Sequence, residues 1–492
     1  MKKIILSTLI SALAITASAQ SAYDAGNAIQ SDLNGTARYV GMGGALNALG
    51  ADISLMSANP AGTALYRKSD ISFTASDLIS DEKGQLGHDR SRMSFDQAGV
   101  LFAFQLDNSG RGLQYVNFGV NYRKNRNHFG NDFVNVQNLD NTFSQTFQIA
   151  DLANASANYG YWGLLADIAT PTDVDAQNAH DGIVGEDEQG YYGIAAQDAN
   201  YRRYSYGSNI EADINISFNS SDRFYYGLSV GIYDFDYNRE SFYEELGVDQ
   251  HYYDFSNWYK TSGTGVDIKF GFIFRPIEDS PFRLGVNITT PTWYNLTDAN
   301  GATLYLDDEY VASGNSGDYD YKFRTPWKFN LSLGHTFGTN LAIGAEYEFS
   351  DYASSRYTAI DYADDQYFRE INETIKNTLK GQHTLKLGLE YKPVEPFSIR
   401  LGYNYVSSAY DKKGYKTILY TEPFTDTDFT NWGAINRVTF GLGYRWRSGY
   451  IDMAYQYQAQ KGDFYAFDDV DLVPTEIKNN RSQILATLGF RF

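Results

Sequence analysis

The chain has 492 residues, 60 acidic against 40 basic, for a formal charge of −20, with 41 tyrosines, 44 glycines and no cysteine. That composition excludes a disulfide scaffold and a cysteine-ligated metal. It also excludes a nucleic-acid binder, which needs a basic surplus, and a disordered acidic chain, which lacks aromatics. In chain order, Lys2 and Lys3 precede an apolar run from Ile4 to Ala17, and Ala17-Ser18-Ala19 makes a small-x-small cleavage site before Gln20. Residues 1–19 therefore read as a secretory signal peptide. After it no apolar run approaches the roughly 20 residues of a membrane helix.

Residues 20–65 do not alternate like a strand. They run through Gly35-Thr36-Ala37-Arg38, Gly41, Gly43 and Gly44 to Asn59-Pro60-Ala61. The segment is too apolar for a solvated tail and too short for its own core. From there on, apolar and polar residues alternate with period 2 in fourteen runs. These lie near 69–77, 98–106, 113–124, 202–218, 223–237, 261–276, 281–290, 318–336, 340–351, 381–393, 396–408, 433–447, 449–460 and 481–492. Short connections rich in turn formers, such as Asn219-Ser220-Ser221-Asp222, alternate with long ones, the largest being 125–201.

Short turns at one end, long loops at the other and an even strand number predict an all-β fold: a 14-stranded antiparallel transmembrane barrel over 66–492. Tyr391, Tyr403, Tyr405, Tyr444, Trp446, Tyr455 and Tyr457 read as interfacial girdles, and Phe492 as an aromatic strand end suited to an outer-membrane barrel. Eight strands leave an interior that side chains fill, and sixteen leave an aqueous channel. Fourteen strands need a plug, an inserted loop or tolerance of a leak, and 20–65 is the candidate hatch.

The motifs Gly35 to Arg38, glycines 41, 43 and 44, Asn59-Pro60-Ala61 and the step into the first strand at Ser69 resemble the hatch of the FadL/TodX outer-membrane transporters of hydrophobic compounds. The fourteen strands and the long 125–201 loop fit the same resemblance. It implies passive uptake of long-chain fatty acids, lipids or aromatic hydrocarbons across the bacterial outer membrane. The ligand would land on an external apolar groove, pass to a pocket above the hatch and leave sideways at an inward kink of the third strand. The gate residues it implies are Gly35, Arg38, Asn59, Pro60, Ala61 and Gly119, with the triplet packed near the third strand. The external groove is expected in the candidate helix 144–168, at Phe147, Leu152, Tyr161, Trp162 and Leu165. Expected partners are a hydrophobic small molecule, outer-membrane lipid and lipopolysaccharide, around a monomer that binds no nucleic acid.

Ten inward positions carry glycine, Gly119, Gly227, Gly271, Gly285, Gly334, Gly344, Gly388, Gly402, Gly441 and Gly489, at similar heights along their strands. Either they relieve wall curvature, or they leave room for the hatch backbone. Inward charges such as Lys269, Arg283, Lys386, Glu390, Arg400, Arg437 and Arg491 read as a salt-bridged lumen wall, with the alternative that one arginine grips a ligand carboxylate. Gly227-Leu228-Ser229-Val230-Gly231 matches a hydrolase pattern, but that pattern requires a strand-to-helix elbow and this one lies mid-strand. The six histidines form no ligand pair, so no metal and no cofactor is expected, and the chain does not read as an enzyme. The competing reading is a plugged barrel serving as a surface adhesin or structural protein.

Overall fold

The computed structural model describes residues 21–80, 90–107, 111–147, 149–151, 154, 184–360, 365–412, 429–467 and 471–492. The signal-peptide region lies outside them. Fourteen strands close a barrel: β1 (Asp70–Ser80), β2 (Ser91–Gln105), β3 (Leu113–Asn127), β4 (Ala196–Ser220), β5 (Phe224–Gly247), β6 (Tyr252–Phe274), β7 (Arg283–Thr289), β8 (Lys328–Phe337), β9 (Leu341–Asp351), β10 (Gly381–Tyr391), β11 (Phe397–Val406), β12 (Phe429–Trp446), β13 (Gly449–Tyr465) and β14 (Arg481–Arg491). Each pairs antiparallel with its neighbours, and β1 pairs with β14 from Asp70–Arg491 to Ser80–Arg481 to close the wall. The turns at one end are tight. Between β4 and β5, Ser221 and Asp222 both take left-handed φ values of 56° and 52°, the geometry whose twist suits a hairpin.

Along β5 the outward residues Phe224, Tyr226, Leu228, Val230 and Ile232 are all exposed, while Tyr225, Ser229 and Tyr233 face in and are buried. Nine residues at about 3.3 Å each, tilted by about 40°, cover roughly 20 Å, close to the height of a bilayer's apolar core. Beyond Ile232 the pattern reverses: Asp234, Asp236 and Asn238 face out, and Phe235, Tyr237 and Tyr243 are buried inside. The barrel continues past the apolar band as a conventional, inward-facing hydrophobic structure.

This continuation corrects several expected loops. The 238–260 connection is strand on both sides of a turn at 248–251. Residues Trp293–Leu306 and Glu309–Arg324 form a hairpin, not a loop, and extend β7 and β8 upward. The single strand expected at 318–336 is broken at Thr325-Pro326-Trp327, and β7 is broken opposite it at Thr290-Pro291-Thr292. A proline offers no N–H to a ladder. At this joint the Thr290 hydroxyl accepts from the Ile268 N–H at 3.0 Å and the Thr325 hydroxyl from the Thr292 N–H at 2.7 Å. The long loop after β3 is also shorter than 125–201, because Gly130–Asn135 pairs with β4 at 200–205.

Candidate functional site: the hatch seat and the luminal cavities

Residues 21–66 fill the barrel. Ser21 caps α1 (Ala22–Ile29): its hydroxyl accepts from the Asp24 N–H, and the Asp24 carboxylate accepts from the Ser21 N–H. The buried face of α1, Ala22, Ala25 and Ile29, packs into an aromatic cluster with Tyr237, Tyr259, Tyr357 and the helix α4 (Asp365–Thr378), which contributes Phe368, Ile371 and Ile375. Thr36 caps α2 (Ala37–Gly41), whose first N–H donates to the Thr487 hydroxyl of β14 at 2.7 Å.

From α2 the hatch runs around the inside of the wall on the glycines, through the short α3 (Leu55–Ala58). A methyl group added to Gly441 would lie 3.2 Å from the Gly41 Cα. One added to Gly402 would meet Gly43, one on Gly388 would meet Met42, one on Gly344 the Ala45 carbonyl, and one on Gly334 Ala48 and Leu49. At Gly285 it would approach Ala48 and Asn59, at Gly271 Asn59 and Ala61, at Gly227 Pro60, and at Gly119 the Met56 side chain. Nine of the ten inward glycines therefore face the hatch; the exception, Gly489, faces the Tyr450 ring. Of the two readings of the belt, the seat is the correct one. Gly43 shows the fit from the other side: its φ is +63°, and an added side chain would strike the backbone of Tyr403 and Leu387.

The expected gate residues occupy defined places in this ring. Gly35, at φ +143°, lies against Ser54. Arg38 reaches across the hatch: its Nε donates to Glu390 at 3.1 Å, and its Nη1 donates to the Ala51 carbonyl at 2.8 Å and lies 3.8 Å from Asp52. Asn59 is extended at φ −132°, as a residue before proline should be, and its side chain caps the 3-10 turn Pro60–Leu65. The triplet Asn59-Pro60-Ala61 does not pack near the third strand, however. It sits on Gly227 and Gly271 of β5 and β6, and it is Thr63 and Tyr66 that meet β3, through the Asn117 amide at 2.8 and 3.2 Å. The chain touches β3 on either side of the triplet, through Met56 at Gly119 and through Thr63 and Tyr66 at Asn117, and the bend at Pro60 carries it across β5 and β6 between them.

The charged wall is paired, and part of it holds the hatch. Lys269 on β6 lies 2.8, 3.0 and 2.6 Å from Glu211, Asp213 and Asp267, and Arg123 lies 2.5 Å from Glu211. Arg400 bridges Glu390 and Asp452 at 2.7 and 2.5 Å. Arg283 donates to the Leu49 carbonyl at 2.7 Å, Ser57 donates to Asp213 at 2.5 Å, and Glu346 accepts from the Asn47 N–H at 2.6 Å. Low dielectric makes such buried pairs strong only when every partner is present.

Among the described residues, two cavities lie above the hatch. The lower, about 110 Å³, is lined by Arg123, Lys269, Lys386, Glu348 and Arg437 beside Tyr39 of the hatch. The upper, about 100 Å³, is lined by Arg126, His128, Arg203, Arg239 and Arg481 beside Asp24. Gln30 borders both, so the hatch segment around it is the septum between them. Neither is the apolar pocket that uptake of a pure hydrocarbon calls for. A wall whose outer face is apolar puts its polar residues inside.

The wall is also locally open. β2 and β3 pair only up to Gln97–Arg123, and β3 bulges at Asn125. The hatch fills the divergence. The Asp32 N–H donates to the Asn125 carbonyl at 2.9 Å, and the Asn34 amide donates to the Lys124 carbonyl at 3.1 Å and to Asp96 at 3.0 Å. Sequence reasoning missed Asp32, Arg126, His128 and Arg481. The sequence places positions 126 and 128 in the loop after the third strand, and the inward alternation of Asn121, Asn125 and Asn127 would put both on the outer face; the bulge at Asn125 breaks that pattern, so no local signal finds them.

At the long-loop end, residues 145–147, 149–151 and 154 are helical, in keeping with the candidate helix at 144–168. Ile149 is buried in a core with Val134, Tyr201, Phe255 and Phe464, and Phe143 packs against it. Phe147 is 38% exposed beside Gly193. Leu152, Tyr161, Trp162 and Leu165 lie outside the described residues. Ser144, Gln145 and Tyr243 all donate to the buried carboxylate of Glu245, the last two at 3.1 and 2.6 Å, and burial pushes that carboxyl up to about 7.

No protein-family model matches the sequence, and no curated protein does. Solved structures do. A Pseudomonas aeruginosa FadL homologue is 13% identical with a TM-score of 0.50, covering 94% of this chain and 99% of its own. The Pseudomonas putida toluene transporter TodX has the same four values, as does the Ralstonia pickettii toluene transporter TbuX. At this identity the likeness establishes the fold: a hatch-plugged, 14-stranded barrel of the FadL/TodX type.

Proposed function

We propose that this protein is an outer-membrane channel for passive uptake of hydrophobic compounds with a polar end, gated by its hatch and emptied sideways through the wall between β2 and β3. The observation that carries the reading is the sealed divergence of those strands: above Gln97–Arg123 the barrel's own ladder stops, and the hatch supplies the hydrogen bonds in its place. A plug with no moving role has no need to complete a wall. Outside the gap, the Phe95 and Tyr122 rings lie tilted with centroids 5.7 Å apart and Met93 is 82% exposed, so a molecule leaving there meets apolar side chains at once. The solved relatives named for toluene transport support a hydrophobic cargo. The polar cavities support a cargo with a head group. The gate residues are Arg38, which ties the two arms of the hatch together, and Asn34, which spans the gap.

The chain lacks cysteine, which makes the test clean. Asn34→Cys and Asp96→Cys, bridged by a short bis-alkylating reagent, fasten the hatch to β2. Cells carrying the bridged protein should lose uptake of labelled oleate, and unbridged cells should keep it. Equal uptake with and without the bridge overturns the lateral gate.

A further inference from the structure

The septum between the two cavities is held by a single carboxylate among three guanidinium groups. Asp32 accepts from Arg481 and from the Asn127 N–H at 3.0 Å, and lies 3.9 Å from the Nη2 of Arg437. Arg126 stands on the same side, bonded to the Asn27 carbonyl, and has no carboxylate partner among the described residues. Arg437 is 2% exposed, donates to Gln458 and Asn404 at 2.9 and 3.0 Å, and leaves its Nη2 without a hydrogen bond. His128, on the wall of the upper cavity, is 5% exposed and has no hydrogen-bond partner on either ring nitrogen; its ring is held edge-on by Phe235 and Tyr237.

Buried polar atoms without partners are costly, and so is an uncompensated charge. Three guanidinium groups against one carboxylate leave two positive charges facing polar space. A metal ion is repelled from such a site, and a hydrocarbon would strip water from guanidinium groups and return nothing. An oxyanion answers the groups that line the upper cavity: it accepts from Arg126, from Arg481 and from a protonated nitrogen of His128, and charge-assisted bonds to guanidinium are the strong ones.

We propose that the upper cavity binds the oxyanion group of a small solute, a carboxylate or a phosphate, and that Asp32 is a tethered competitor for the same arginines. Arrival of the anion at Arg126 and Arg481 weakens the hold on Asp32. That carboxylate's bond to the Asn127 N–H and the Asp32 N–H bond to Asn125 hold the hatch to β3 at the gap, beside the Asn34 bond to β2, so the anion loosens the septum and the lateral seal together. This names a head group and a trigger for the uptake reading and rests on it for the route, but the site itself is read by binding alone.

The test uses the full chain in nonionic detergent and calorimetric titration with benzoate, decanoate and inorganic phosphate, with toluene as the neutral control. Heat-modifiable gel migration confirms that each variant is folded. Asp32→Asn removes the competitor and should tighten anion binding about tenfold, while Arg126→Gln should loosen it about tenfold, the worth of one charge-assisted hydrogen bond. Toluene should respond to neither. Benzoate and decanoate following the two opposite shifts assign the site to carboxylates, and phosphate alone following them assigns it to phosphates. The proposal is overturned if every anion stays within twofold of the unaltered protein in both variants, if the two variants shift in the same direction, or if toluene follows the anions. If the unaltered protein binds the anions but gives cells no uptake of oleate, the channel reading falls and this site stands; uptake without anion binding strikes only the site.

Discussion

One strand, β5, is built in two opposite ways. Between Phe224 and Ile232 its apolar residues face out and its small and polar residues face in; above it Phe235, Tyr237 and Tyr243 face in while Asp234, Asp236, Glu240 and Glu244 face out, with Glu245 the one acid turned inward. The difference is one of solvent. In the lower half the outside is hydrocarbon and the inside holds polar groups that must be paired, so the hatch is fastened by shape against glycines and by hydrogen bonds to charged side chains. In the upper half the outside is water, so α1, α4 and the loop after β3 are fastened by apolar burial, as in a soluble protein. The change of solvent falls close to Ile232, and the hatch passes through both regimes.

The strongest way to break this comparison is to remove the fit in the lower half. Gly344→Leu with Gly388→Leu places side chains where the Ala45 and Met42 carbonyls lie, and should unseat the hatch and turn a silent barrel into a conducting one in planar bilayers. Gly489→Leu meets only the movable end of the Tyr450 ring and should stay silent. Equal conductance from both would show that glycine serves wall curvature and not the hatch.

A second comparison places the same charge on the same outward face at two heights. Leu228→Arg lies in the apolar band and should destabilise the barrel by about 2–4 kcal/mol in denaturant titrations in lipid vesicles. Asn238→Arg lies beyond it on the same strand and should change stability by less than about 0.5 kcal/mol. Equal effects would move the boundary away from Ile232.

The smallest effect concerns the upper half alone. The Glu245 carboxyl, buried and held by Ser144, Gln145 and Tyr243, sits at about 7 against an ordinary 4.5. Because its folded value is raised, its contribution is complete below about 4.5 and is lost as pH rises through 7. Amide-exchange protection of 144–146 should therefore fall between pH 5 and about 8. Glu245→Gln should flatten that profile without touching the lower half.

The strand count, the inward face of each strand and the glycine belt were legible because period-2 alternation is local: five residues of Ile484 to Phe492 state their facing with no knowledge of a neighbour. Alternation failed as a guide where the solvent changed. With apolar residues expected outside, alternation ends the fifth strand at 237 and begins the sixth at 261, although both strands continue with the opposite polarity. The same local reading carried the eighth strand through Pro326, where the missing N–H breaks it.

The sequence by itself determined a plugged barrel of fourteen strands, the residues of the plug and the positions where the wall leaves room for it, because composition and alternation act within a few residues. Only the tertiary structure decided that Asn59-Pro60-Ala61 rests on β5 and β6, that the space above the hatch is polar, and that Asp32 meets Arg437 and Arg481. Those contacts join residues hundreds of positions apart. They depend on the register of fourteen strands and on the path of the hatch around them, and no local pattern encodes either.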